Sequence, residues 1–309
     1  MWSVGWALPT SYSANYQRDV NNDFGGTGVS PVRRRLFVRA CGCQITTEHR
    51  LEAGATKPMT DSLHANLVRG WEAGLTPENP ASAPLILIGT VHGDPQGYER
   101  AMKLLQRWQP DLVTVEVSRF SLRYRRRQEP RWQRLLRQAL EELPAASAEH
   151  LAIRRLLAQV ALPFEVGVAR DYSRRYGTPW RPLDLGGPSR RHLPRYAREL
   201  LAPENMRALL DTEDEPLEDY VAKEYRRARL ACDRPLWRPL GANAETVRCF
   251  VRERLLARRL RHCLAGSGRV AHLGGWEHLA PWRDGASLWQ GLADLGPLRL
   301  FLDEADGEN

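Results

Sequence analysis

From residue 84 onward the chain alternates short apolar runs with longer stretches of helical spacing. Leu85-Ile86-Leu87-Ile88 is apolar without a polar interruption. A run that short and uniform suits a strand buried on both faces, as in a parallel sheet. Beyond a turn, Ala101, Leu104, Leu105 and Trp108 recur at helical intervals and predict a helix over residues 97–108. Pro110-Asp111 ends it, and residues 112–117 predict a second strand, parallel to the first across a right-handed crossover. Helical spacing returns over residues 131–143, 151–160 and 164–176, and residues 178–185 predict a short strand ending at Asp184. Residues 186–243 mix helical spacing with prolines and acidic breaks, which predicts a helical insertion or cap. A long helix is expected over 244–264, with Val247, Phe250, Val251, Leu255 and Leu256 as its apolar face. A strand at 269–273, a helix at 287–295 and a last strand at 298–302 follow, and the acidic tail (304–309) reads as frayed. The expected fold class is α/β: a central mixed, mainly parallel sheet flanked by helices, with a helical insertion between two halves.

Residues 1–80 follow none of these rules. They are rich in Gly, Ser, Thr, Asn and Pro, and Asn21 to Gly28 is a cluster of breakers. Residues 1–58 read as disordered or loosely attached, even as an upstream extension with Met59 the native start. The α/β domain is placed at 81–303.

Composition narrows the setting. No stretch approaches the ~18 apolar residues of a membrane span, and the N-terminus has no basic-then-apolar leader. Five cysteines, an odd number without a C-x-x-C pair, argue against a disulfide framework and suit a reducing cytoplasm. The net charge of +8 raises the chance of an anionic partner. Arginines interleaved with Tyr124 and Trp132 over residues 119–137 allow nucleic-acid binding, but a solvated helix near a site mouth is the preferred reading.

The candidate chemistry sits where strands end. Gly89-Thr90-Val91-His92 follows the first strand, and Gly275-Trp276-Glu277-His278 follows the strand at 269–273. In open α/β sheets, ligands gather outside the carboxyl ends of the strands. Both histidines are delivered to that edge, and Glu116, at the end of the second strand, can reach it. His92, His278 and Glu116 together suit a divalent transition metal (manganese, zinc, cobalt or iron) with positions left for water and substrate. Asp94 and Thr90 are candidates to orient His92, and Arg254 to stabilise an oxyanion. Plainer readings exist: His92 as a helix-capping loop residue, Glu116 paired with a nearby arginine, His272 as a satisfied core histidine.

The stretch ILIGTVHGDPQGYERAMKLLQRWQPDLVTVEVSRFSLR, ending at Arg123, resembles the opening block of the TraB/PrgY family. That family pairs G-T-x-H after a strand with a helix and a P-D-x-V-x-x-E strand. Arg252-Glu253-Arg254 is similar to its E-R motif, and residues 270–279 to its closing strand with G-x-x-H. The blocks cover about 70 residues of 309, and their order is more specific than any one of them. The resemblance implies an α/β core shared with Tiki metalloproteases, GumN-like proteins, erythromycin-esterase-like enzymes and haem-binding ChaN-like proteins. It implies metal-binding roles for His92, His278 and Glu116, and catalytic roles for Glu116, Arg254, Glu253 and an arginine after the strand glutamate, Arg119 or Arg123. Glu165 and Asp184 are possible counterparts of polar positions in the family's middle section. The implied function is metal-dependent hydrolysis of a peptide, amide or ester. The alternative is a non-catalytic protein that sequesters a metal, haem or peptide. The implied partners are a small-molecule or peptide substrate and, at most, a second copy of the chain.

Overall fold

In a computed structural model the described part of the chain is residues 82–234, 244–282 and 287–307. The expected extension over 1–80 and the end of the expected cap (235–243) lie outside the described residues. Strands β1 (Leu85–Thr90), β2 (Leu112–Val115), β3 (Trp180–Pro182), β4 (Val270–Gly275) and β5 (Leu298–Phe301) form one sheet in the order β3-β2-β4-β1-β5. Every pairing is parallel. The expected α/β class holds, and the sheet is parallel throughout rather than mixed.

Helices fill the connections. The first, α1 (Gly97–Trp108), follows β1. Next, α2 (Arg119–Glu141), α3 (Leu151–Val160) and α4 (Phe164–Tyr176) separate β2 from β3. Then α5 (Gly186–His192), α6 (Tyr196–Glu199), α7 (Pro203–Leu210), α8 (Leu217–Asp233) and α9 (Ala244–Leu264) separate β3 from β4. Every residue of β1 and β2 is buried, the burial that their unbroken apolar runs require. In α1 the face carrying Ala101, Leu104 and Leu105 is inside, and Pro110 follows the C-cap because it cannot continue the helix.

The apolar interior has two parts. The larger surrounds the sheet and includes Leu217, Val221, Tyr225, Ala228 and Ala231 of α8. The smaller joins Trp132, Ile153 and Leu156 of α2 and α3 to Leu193, Leu201 and Met206. The expected helical insertion or cap at 186–243 is, as far as it is described, helical between β3 and β4. Its residues 193–206 pack with α2 and α3 in the smaller core, while α8 belongs to the sheet's own core.

Helix α2 also starts earlier than expected. Ser118 caps it, accepting a 3.0 Å bond from the Ser121 N–H, and Pro130 lies inside it. Its basic residues do not all face water. Arg125 is buried and donates to the carbonyls of Gln159, Val160 and Ala161 at 2.5, 3.1 and 3.0 Å, closing the C-terminus of α3. Trp132 is 1% exposed, a core residue rather than a stacking platform. Over 287–295 the described structure is a 3-10 turn at Gln290–Leu295 rather than an α-helix. The tail is ordered through Asp306: Leu302–Asp306 forms a 3-10 turn, and Asp306 pairs with Arg100 of α1.

Candidate functional site

Strand register assembles the site. Thr90 of β1 lies beside Gly275 of β4, so the two chains leave the sheet at one level. On the other side of β4, Val115 pairs with Leu273, and the Glu116 N–H continues the ladder to the Leu273 carbonyl at 2.9 Å. His92, Glu116 and His278 thus come to one carboxyl edge although their segments are far apart in the chain.

His92 stands on a tight turn. The Asp94 N–H bonds the Val91 carbonyl at 3.1 Å, and Gly93 takes φ +83°, a left-handed value that suits glycine. The imidazole Nδ1 meets Glu165 Oε1 of α4 at 2.9 Å, and Thr90 Oγ1 donates to the same oxygen at 2.8 Å. A carboxylate can only accept, so Nδ1 carries a proton and donates to Glu165. Asp94 does not orient His92. It takes Arg100 at 2.9 Å and the Tyr225 hydroxyl at 2.9 Å, fastening the turn to α1 and α8.

His278 sits deeper, on a 3-10 turn over Trp276–His278. Its side chain is 1% exposed against 14% for His92. Nδ1 donates to Glu253 Oε1 at 2.5 Å, and Nε2 lies 2.8 Å from Glu116 Oε1. Burial alone would lower its pKa, but Glu116 and Glu253 reverse this and raise it to about 10. His278 is an imidazolium clasped by two carboxylates.

Arg252 of α9 completes the group. Its Nε donates to Asp184 Oδ1 at 2.8 Å, its Nη2 to Glu116 Oε1, and its Nη1 stands 3.4 Å from His278 Nε2. Burial pushes the Glu116 carboxyl up, yet His278 and Arg252 together hold it well below the usual carboxylate range. Its second oxygen, Oε2, accepts the Gly275 N–H at 2.9 Å. The glycine pair that ends β4 makes room for this carboxylate. A Cβ on Gly274 would come within 2.9 Å of Glu116 Oε2, and one on Gly275 would stand 3.6 Å from His92 Nε2 and 3.7 Å from His278 Cδ2. The space above Gly275 is where His92, His278 and Glu116 face one another.

Of the sequence candidates, His92, His278, Glu116, Glu253 and Thr90 come together. Arg254 does not: it is exposed on the outer face of α9, and Arg252 occupies the place foreseen for it. Arg123 is exposed on α2 and lines an outer hollow. Glu165 and Asp184, weak candidates in the sequence, prove to be the direct partners of His92 and Arg252. His272 is a core histidine as expected, but not a satisfied one, since its buried Nε2 has no hydrogen-bond partner among the described residues. It is fully buried with Nδ1 2.9 Å from Thr114 Oγ1, and burial lowers its pKa to about 4.

As placed, the members of the expected metal triad are engaged by their own contacts: both ring nitrogens of His278 face carboxylates, and the Arg252 guanidinium lies on the Glu116 oxygen nearest to it. Among the described residues no group of three or more His, Cys, Asp and Glu is placed to hold a metal ion. The arrangement can move protons: His92, held through Nδ1 by Glu165, faces a buried cluster in which Glu116, Glu253 and Asp184 hold His278 and Arg252. Comparison with family models, with characterised proteins and with solved structures found no match for this chain.

Proposed function

We propose that the chain hydrolyses an ester, amide or peptide bond through its two histidines, without a metal held by the triad. The observation behind this reading is the Thr90–Glu165–His92 chain of hydrogen bonds, which fixes the His92 tautomer and aims a basic nitrogen at the space above Gly275. His92 Nε2 takes a proton from water as the water attacks the carbonyl carbon, and returns it to the leaving group. Arg252 Nη1, the guanidinium nitrogen not taken by Asp184 or Glu116, donates to the carbonyl oxygen as negative charge grows there, while His278 stays clasped between Glu116 and Glu253. Glu116, Glu253 and Asp184 keep the two cations in place. The resemblance of the β1–β2 and β4 blocks to the TraB/PrgY family supports the same reaction class.

The test is a screen of chromogenic esters and fluorogenic peptides with wild type and His92→Asn. The variant is expected to keep the wild-type melting temperature and to lose about 10²- to 10⁴-fold in rate, the usual contribution of a general base. An unchanged rate in His92→Asn, or a wild type that cleaves nothing in the screen, overturns the reading. Stoichiometric zinc, manganese, cobalt or iron in the purified protein, with activity lost to a chelator, would restore the metal triad in its place.

A further inference from the structure

Beside the site, at the carboxyl edge of β2 and β3, lies an open cavity of about 810 Å³. That is within the range of small-ligand sites, roughly 300–1,000 Å³. Its walls carry Arg119, Arg181, Arg190, Arg258 and Arg259 and a single carboxylate, Asp184. Asp184 is already committed, since it accepts from Arg252 at 2.8 Å. Arg259 is spent on the carbonyls of Leu183 and Asp184, and Arg190 stacks on Phe120 at 4.6 Å. Arg119, Arg181 and Arg258 have no carboxylate in ion-pair range among the described residues.

Other arginines of this chain find an acid: Arg100 pairs with Asp306, Arg229 with Asp303, Arg261 with Asp294. The cavity gathers positive charge and leaves it unneutralised, which focuses field on whatever anion enters. The amino end of the 23-residue helix α2 also opens here, and its first turn holds no acid to oppose an anion. A hollow of about 330 Å³ shares Arg119 and Arg190 and continues the positive surface to Arg123 and Arg127. The link to chemistry is one ion pair long: Asp184 on the wall holds Arg252, whose guanidinium stands 3.4 Å from His278.

We propose that this cavity binds the anionic part of the substrate, a small molecule bearing two or more phosphate or carboxylate groups. That it is a substrate rests on the hydrolase reading; that it binds does not. Several guanidiniums lining one cavity repel one another, so one negative charge satisfies them poorly and several satisfy them well. A nucleic acid needs open aromatic platforms. Here Trp132 is inside the core, and Phe120 and Tyr124, which line the hollows, stack on each other and carry Arg190 and Arg127.

The test is calorimetric titration of the full chain with inorganic pyrophosphate and, separately, with citrate, at fixed ionic strength. Pyrophosphate stands for a phosphate source of the charge and citrate for a carboxylate source. Four proteins are compared: wild type, Arg181→Ala/Arg258→Ala, the exposed control Arg226→Ala, and His92→Asn. At least one of the two anions is expected to bind wild type at micromolar concentration. The double variant should bind it at least about tenfold more weakly, and Arg226→Ala and His92→Asn within about twofold of wild type. The anion that binds more tightly identifies the charge class. No binding of either below about 1 mM, or equal weakening by Arg226→Ala, overturns the proposal. So does a single-stranded oligonucleotide that binds more tightly than both anions and loses affinity in the double variant. Because His92→Asn reports on catalysis and the double variant on the cavity, either reading can fail while the other stands.

Discussion

The carboxyl ends of β1 and β4 offer the same short motif, a glycine turn leading to a histidine, and the protein uses the two copies in opposite ways. His92 sits on a turn at the surface, 14% exposed, with one carboxylate on Nδ1. His278 is 1% exposed, with carboxylates against both nitrogens and a guanidinium beside it. The first meets one carboxylate, and the second is held as a cation between two. What separates them lies outside the motif: α4 supplies one glutamate to His92, whereas α9 supplies Glu253 and Arg252 to His278. A G-x-x-H match therefore says where a histidine is delivered, and the helices packed around it decide its charge.

That contrast can be broken most forcefully at Arg252. Arg252→Ala leaves Glu116 and Asp184 buried without their cation, and breaking a buried pair in this way costs about 3–5 kcal/mol. Chemical denaturation should show that loss, whereas His92→Asn should leave stability unchanged. Equal stability of Arg252→Ala and wild type would mean that the group around His278 is not held by charge.

A second approach is pH. The folded pKa of His278, about 10, lies above its unfolded value, so its contribution is complete below about pH 6.5 and is lost as pH rises through about 10. Buried His272 acts in the other sense. Its folded pKa, about 4, is depressed, so stability falls as pH drops from about 6.5 towards 4. Glu116, also depressed, adds to the acid limb. Thermal melts against pH should peak near pH 6.5, and His278→Gln should flatten the alkaline limb relative to wild type. An alkaline limb unchanged in that variant would show that His278 is not a buried cation.

Smaller still is Thr90→Val, which removes one donor from Glu165. It is expected to cost about 1 kcal/mol in stability and to lower the hydrolytic rate severalfold. The smallest effect is expected at Arg254→Ala, within about 0.5 kcal/mol of wild type and without loss of rate, because that side chain faces water. A large loss there would return the site to the register that the sequence suggested.

Strand and helix placement was largely readable. The run at Leu85 to Ile88 and the spacing of Ala101, Leu104 and Leu105 left little room for other elements around β1 and α1. The site was half readable, since glycines before histidines at strand ends point to an edge without naming the partners. The rest was hidden because charged residues occupy inward positions that a hydrophobic pattern marks as outward. In α9 the buried side is Arg252, Glu253, Leu256, Ala257, Leu260 and Cys263, while Val251 and Leu255 are 50% and 37% exposed. Reading 247, 250, 251, 255 and 256 as the apolar face turned the helix by about one position, and so gave no reason to prefer Arg252 over the Arg254 that the E-R resemblance suggested. The corrective signal was there: Arg252 and Glu253 lie four residues before Leu256 and Ala257. Likewise Glu165 shares a face with Val168, Ala169 and Tyr172, all buried. A charge in phase with a core stripe marked the working residues in both helices.

The strand order also has a biosynthetic consequence. β4 is made late yet lies between β1 and β2, which do not touch each other. Until residues 270–275 leave the ribosome, two of the most apolar strands have open edges towards the gap that β4 will fill, and such edges invite aggregation. The same late insertion brings His278 to His92 and Glu116. A nascent or truncated chain lacking β4 therefore has neither a closed sheet nor the grouping of His92, Glu116 and His278, and the finished sheet is the condition for both.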